Sequence, residues 1–196
     1  MTRVIFAALI ILGLLSLGAC MPYLVGSDRP RFDASEYVKP LADGDYIFSR
    51  EIPRPARLVG KGNQTLLTMV NEGGDEMTFV GGFVPLNKTE YFLYQVTDAI
   101  EKGALAKKKS AGETSYAPVT ITADGVATWF SGPSECDTVC AAFLASHGIE
   151  RDRANNTTVP DGLTRERLLA FYEELLPVLE AGGEEWVFAR MKPVAK

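Results

Sequence analysis

The stretch GPSECDTVCAAFLASHG, residues 132 to 148, holds the residue types best suited to chemistry in this chain. Cys136 and Cys140 supply two thiols, and His147 is the only histidine. Such a trio would bind a soft metal, whereas the pair alone would exchange electrons or form a staple. Ser134-Glu135-Cys136-Asp137 fits a capping box with aspartate at its fourth position. Val139, Cys140, Phe143, Leu144 and His147 then recur at helical spacing before Gly148 stops the helix. If residues 136 to 147 form one helix, His147 lies roughly 10 Å along the axis from Cys140 and about 16 Å from Cys136. Zinc bonds of about 2.0–2.3 Å hold ligand atoms within roughly 4 Å of each other. The trio therefore fails as one metal site, and the sequence implies no cofactor. At a helix C-terminus, His147 is placed to cap the last carbonyls and to meet the negative end of the dipole.

The elements that would hold this site begin with a leader. Arg3 precedes an apolar run from Val4 to Leu15, and small residues then lead to Cys20. That layout is a signal peptide over residues 1–19. As a transmembrane helix the run would span only about 18 Å, well short of the hydrocarbon core. Leu17-Gly18-Ala19-Cys20 resembles the lipobox of bacterial lipoproteins. The resemblance implies lipidation of Cys20 and a protein attached to the membrane through its N-terminal lipid. Several acyl chains anchor firmly, since each buried methylene contributes about 0.8 kcal/mol. Met21 follows where an aspartate would imply retention at the inner membrane. By the same likeness, the expected location is the outer membrane, on the periplasmic side.

An oxidising compartment and an even count of remaining cysteines favour a Cys136–Cys140 disulfide. Geometry complicates it. Residues i and i+4 of a regular helix have Cβ atoms about 5–6 Å apart, and a relaxed disulfide wants about 3.8 Å. The first turn must then distort, which Gly132-Pro133 permits. Free thiols, or a redox pair with a pKa lowered at the helix start, stand beside that reading. VATWFSGPSECDTVC also resembles the strand and Cys-x-x-x-C segment of thioredoxin-like copper chaperones of the Sco type. That likeness would make Cys136 and Cys140 copper ligands. The flanking prolines and the distant downstream histidine of that family have no counterpart here.

No other cluster points to catalysis. The sole histidine has no serine–carboxylate arrangement around it. Glu173-Glu174 and Glu184-Glu185 are adjacent and diverge on a helix or strand. Glycines 73-74 and 81-82 lack the strand–GxGxxG–helix context of nucleotide sites. Trp129, Phe130, Trp186 and Phe188 are assigned to packing. Asparagines 63, 87, 155 and 156 match the glycosylation pattern, which carries no weight in a bacterial lipoprotein.

Without residues 1–19 the balance is 19 Lys+Arg (20 less Arg3) against 25 Asp+Glu, a net charge of about −6. A mildly acidic surface offers no footprint for nucleic acid. Lys107-Lys108-Lys109 is the one basic cluster and reads as a solvated loop.

Residues 20–43 read as a lipidated N-terminus and tether, because they contain prolines and scattered charges without a period. Residues 44–196 read as a single globular domain. Strands are expected at 45–48, 65–70, 76–80, 91–96, 119–122 and 126–130, with Asp124-Gly125 supplying the tightest hairpin turn. A second helix begins after Thr164 with an apolar stripe of Leu168, Phe171, Tyr172, Leu175 and Leu179. Pro177 should kink or break it. Residues 185–191 return as a last strand. The fold class expected is α+β: a curved antiparallel β-meander or partial barrel, with two helices packed on one face or end.

The function expected is that of a non-enzymatic envelope lipoprotein that binds a protein partner or serves envelope assembly or maintenance. The alternatives are a β module for a small apolar ligand, and a thiol- or copper-handling protein using Cys136 and Cys140.

Overall fold

Apolar residues at every second position give a strand one face for a shared interior and one for the outside. The strands are β1 (Val25–Ser27), β2 (Gly44–Ser49), β3 (Pro53–Lys61), β4 (Gln64–Val70), β5 (Glu76–Pro85), β6 (Tyr91–Lys102), β7 (Thr114–Ile121) and β8 (Ala127–Phe130). Helix α1 (Thr138–Ser146), short strands β9 (Glu150–Arg151) and β10 (Thr157–Thr158), helix α2 (Arg165–Ala181) and strand β11 (Val187–Pro193) complete the chain. The computed structural model describes residues 25–50, 52–70, 75–102, 114–132, 136–151 and 157–195.

Strands β2 to β8 follow one another as antiparallel neighbours, and β11 inserts between β8 and β2. The expected partial barrel is therefore a closed barrel of 8 antiparallel strands. Closure removes both free edges, which a partial barrel would expose. Strand β7 is also shared: Val119 to Ile121 pair with β8, and Thr114 to Tyr116 pair with β1 on the same side. A side sheet, β1–β10–β9, branches off there.

Two cores result. Inside the barrel, Tyr46, Leu58, Leu67, Phe83, Phe92, Tyr94, Val119, Trp129 and Met191 form one buried cluster. Outside it, Val84, Leu93, Tyr116 and Phe130 of the wall pack with α1, α2 and Val25. Both helices thus cover one outer face of the barrel, as the sequence implied.

Strand β3 escapes a sequence reading because Pro53 and Pro55 look like breakers. Both prolines pair only with β2; the β4 register begins at Ala56. Proline is tolerated where one edge needs no amide donor.

The tether over 20–43 is corrected for residues 25–43. Val25, Phe32, Tyr37 and Leu41 are all buried. Buried Gln95 clamps this segment: its Oε1 accepts from the Arg31 and Phe32 amides at 3.1 and 3.2 Å, and its Nε2 donates to the Phe32 carbonyl at 2.9 Å. Tyr37 lies where a side chain at Gly82 would have to be. Val38 then bridges to Phe83, the Asp43 carboxylate accepts from the Gly60 amide at 2.9 Å, and Leu41 packs into the barrel interior. The segment closes that end of the barrel. Its apolar residues have no period because each meets a different neighbour. Residues 1–24, including Cys20, lie outside the described residues, as do Lys107 to Lys109.

Helix α2 is capped by Thr164, whose hydroxyl accepts from the Arg167 amide at 3.4 Å. It runs unbroken through Pro177 to Ala181. Leu175, Leu176 and Leu179, all buried, hold the helix on the wall on both sides of the proline.

Candidate functional site

Cys136 and Cys140 are joined by a disulfide, with Cα atoms 5.1 Å apart. The geometric difficulty disappears because α1 starts later than its sequence pattern implies. Asp137, not Ser134, is the N-cap: its backbone is extended, and its carboxylate accepts from the Cys140 amide at 2.9 Å. Cys136 therefore stands outside the helix and turns toward Cys140. Ser134 lies outside the described residues. The Cys136 carbonyl accepts from Arg151 Nη1 at 3.4 Å, which ties this turn to the side sheet.

His147 ends α1 as its C-cap residue. The expected capping of helix carbonyls by its side chain is replaced by contact with the neighbouring helix. Its ring lies 4.7 Å from the Phe143 centroid and 5.5 Å from that of Phe171, and Nε2 is 3.3 Å from Glu174 Oε2. The structure does not bring His147 and the cysteines together. Among the described residues no group of three or more His, Cys, Asp or Glu is placed to hold a metal ion.

Val139 departs from the expected apolar stripe. Cys140 and Leu144 are buried, but Val139 is 75% exposed. Of the four aromatic residues assigned to packing, Trp129 and Phe130 are buried, and Trp186 and Phe188 are half-buried against the two cores.

The barrel interior is the second candidate. Phe83 stacks on Tyr94 at 4.7 Å and meets Phe92 at 6.4 Å, while Trp129 meets Tyr94 at 6.4 Å and Phe48 at 6.0 Å. These rings fill the middle of the barrel. Among the described residues the Tyr94 hydroxyl has no hydrogen-bond partner, and burial pushes its pKa far above the ordinary phenol value. At the end opposite Leu41, half-buried Phe48, Met69, Phe79, Val96 and Phe188 form an apolar mouth. Of this inward set the sequence assigns Trp129 and Phe188 to packing; that they meet residues of other strands in one ring was not legible.

A third feature sits on the outer wall beside that mouth. A cavity of about 310 Å³ is lined by Ser49, Arg50, Glu184, Phe188, Arg190 and Lys192 among others. Arg190 holds Glu184 through two bonds of 2.6 Å, which lowers the Glu184 pKa and uses the Arg190 charge. The Arg50 guanidinium lies 4.7 Å from the Phe188 ring centroid. Only Arg50 and Lys192 then give the cavity its positive sign. The sequence carried no motif for it, since β2, β11 and the turn before β11 each supply one part.

Compared with known proteins, the chain matches no family model, no curated protein and no solved structure.

Proposed function

We propose that this chain is a periplasm-facing lipoprotein of a bacterial outer membrane. It is anchored through acylated Cys20 and acts by binding a protein partner in envelope assembly or maintenance, without catalysis. The observation that carries the partner-binding part is the filled barrel. With Phe83, Phe92, Tyr94 and Trp129 packed across the interior, recognition falls to the outer surface. The anchor rests on the lipobox likeness at Leu17 to Cys20 and on the acidic balance of the rest of the chain, which gives no electrostatic hold on anionic lipid. Among the described residues no helix is long and apolar enough to cross a membrane.

The test is fractionation and crosslinking of the full chain in a Gram-negative host. The wild type should sediment with outer membranes and crosslink to a discrete envelope protein. The Cys20→Ser variant should be released from the membrane fraction. A wild type found free in the periplasm overturns the anchor; crosslinking that recovers no protein overturns the partner.

A second reading, a binding module for a small apolar ligand, is favoured by the apolar mouth and by the unpaired Tyr94 hydroxyl below it. A ligand with an apolar body and one polar atom suits both. Native mass spectrometry of the purified protein should then show a bound small molecule that the bare chain lacks.

A further inference from the structure

We infer that the exposed face of α1 rests on the lipid surface that holds the acyl chains of Cys20. The inference deepens the lipoprotein reading and rests on it.

The composition of α1 is the first ground. Its residues, TVCAAFLAS, include no charged side chain. Cys140 and Leu144 face the core, while Thr138, Val139, Ala141, Ala142 and Ala145 are exposed. Helix α2 shows the ordinary pattern, with Arg165, Glu166, Arg167, Glu173, Glu174 and Glu180 on its polar side. A helix without a charged face is normally covered by something, and no described element covers this one.

The second ground is the length of chain between anchor and fold, and where it ends. From Cys20 to Val25 is five residues, so the two Cα atoms are at most about 18 Å apart. Val25 pairs with Thr157, and Thr157 with Arg151. Two strand spacings, about 10 Å, therefore separate Val25 from Arg151, and Arg151 reaches the Cys136 carbonyl at the start of α1. Val25 also meets β7 beside the end of β8, the strand whose continuation leads into α1. Acyl chains on Cys20 would thus hold the α1 side of the molecule against the bilayer. A long tether would impose no such orientation; the docking of residues 25–43 through Val25, Phe32, Tyr37 and Leu41 removes it.

The third ground is charge. With a net charge of about −6 on residues 20–196, most faces are repelled by anionic headgroups. The α1 helix itself adds no charged side chain to that repulsion. The disulfide and the Asp137 cap fix the first turn, so Val139 is presented in one place.

The experiment uses the full-length protein purified with its native N-terminus and placed in vesicles of phosphatidylethanolamine and phosphatidylglycerol with brominated acyl chains. Tryptophan fluorescence is compared between the Val139→Trp and Val59→Trp variants. Val59 is 41% exposed on β3, the wall opposite β7. The mass of the N-terminal peptide reports acylation independently. Acylated protein whose Val139→Trp signal is quenched several-fold more than that of Val59→Trp supports the inference. Acylated protein with equal quenching at the two sites overturns it and leaves the anchor intact. If Val139→Trp escapes bromine in vesicles yet is shielded from acrylamide in native envelopes, a protein covers α1 and the lipid contact is overturned. An unacylated N-terminus overturns the anchor and the inference together.

Discussion

Tyr94 is the residue whose chemistry the fold leaves unfinished. Its ring belongs to the packed interior, but its hydroxyl is buried without a partner among the described residues. Leaving such a group unsatisfied costs about 1–3 kcal/mol. Tyr94→Phe keeps the stacking on Phe83 and Trp129 and removes that cost. It should raise unfolding free energy by about 1 kcal/mol in denaturant titrations. A loss of stability of that size, together with loss of a copurifying small molecule, would show that the hydroxyl serves a ligand and would favour the second reading. At this scale the sequence was informative about type and poor about partner. Cys136, Cys140 and His147 are easy to single out, and the structure places the His147 ring against Phe143 and Phe171. Which residue caps α1 was not legible, because Ser134 and Asp137 are both good caps and only the start of the helix distinguishes them.

At the scale of elements, the segment from Phe32 to Asp43 decides how the molecule is built. Its docking depends on Gly82, since a methyl there would overlap the Tyr37 ring. Gly82→Ala should therefore destabilise the protein by about 1–3 kcal/mol, the usual range for overpacking a core. Unchanged stability in thermal or denaturant unfolding would mean that the segment is not docked, and the tether would return. Elements with a local signal were legible: turn residues and β-branched or aromatic runs revealed β2, β4 and β6, Asp124-Gly125 marked the β7–β8 hairpin with Gly125 at φ 79°, and the stripe of α2 is buried throughout. Elements without one were missed. Strand β3 carries prolines, and β1, β9 and β10 are too short for a period. Residues 25–43 bury single anchors spaced by the neighbours they meet rather than by helix or strand geometry.

For the whole molecule, the barrel closes through β11 pairing with β2, two strands from opposite ends of the described chain. No local pattern encodes such a contact, so the sequence supports a curved sheet but not its closure. The two cores bury tyrosines on both sides of the wall, Tyr94 inside the barrel and Tyr116 and Tyr172 beneath the helices. Burial pushes Tyr116 up to about 12, and burial raises Tyr94 and Tyr172 in the same direction. Unfolded tyrosine ionises near pH 10. Below that pH both states keep the proton, and these groups add no pH dependence. Above it the unfolded chain releases protons that the folded chain retains, so stability must fall as pH rises from about 10 through about 12. For a fully buried tyrosine the slope reaches about 1.4 kcal/mol per pH unit. Denaturant unfolding should therefore give a flat stability up to about pH 9 and a steep loss beyond pH 10. Phenolate absorbance should show these three groups titrating only as the protein unfolds. If all seven tyrosines titrated reversibly near pH 10 with the fold intact, both cores would be open to water and the closed, filled barrel would be wrong.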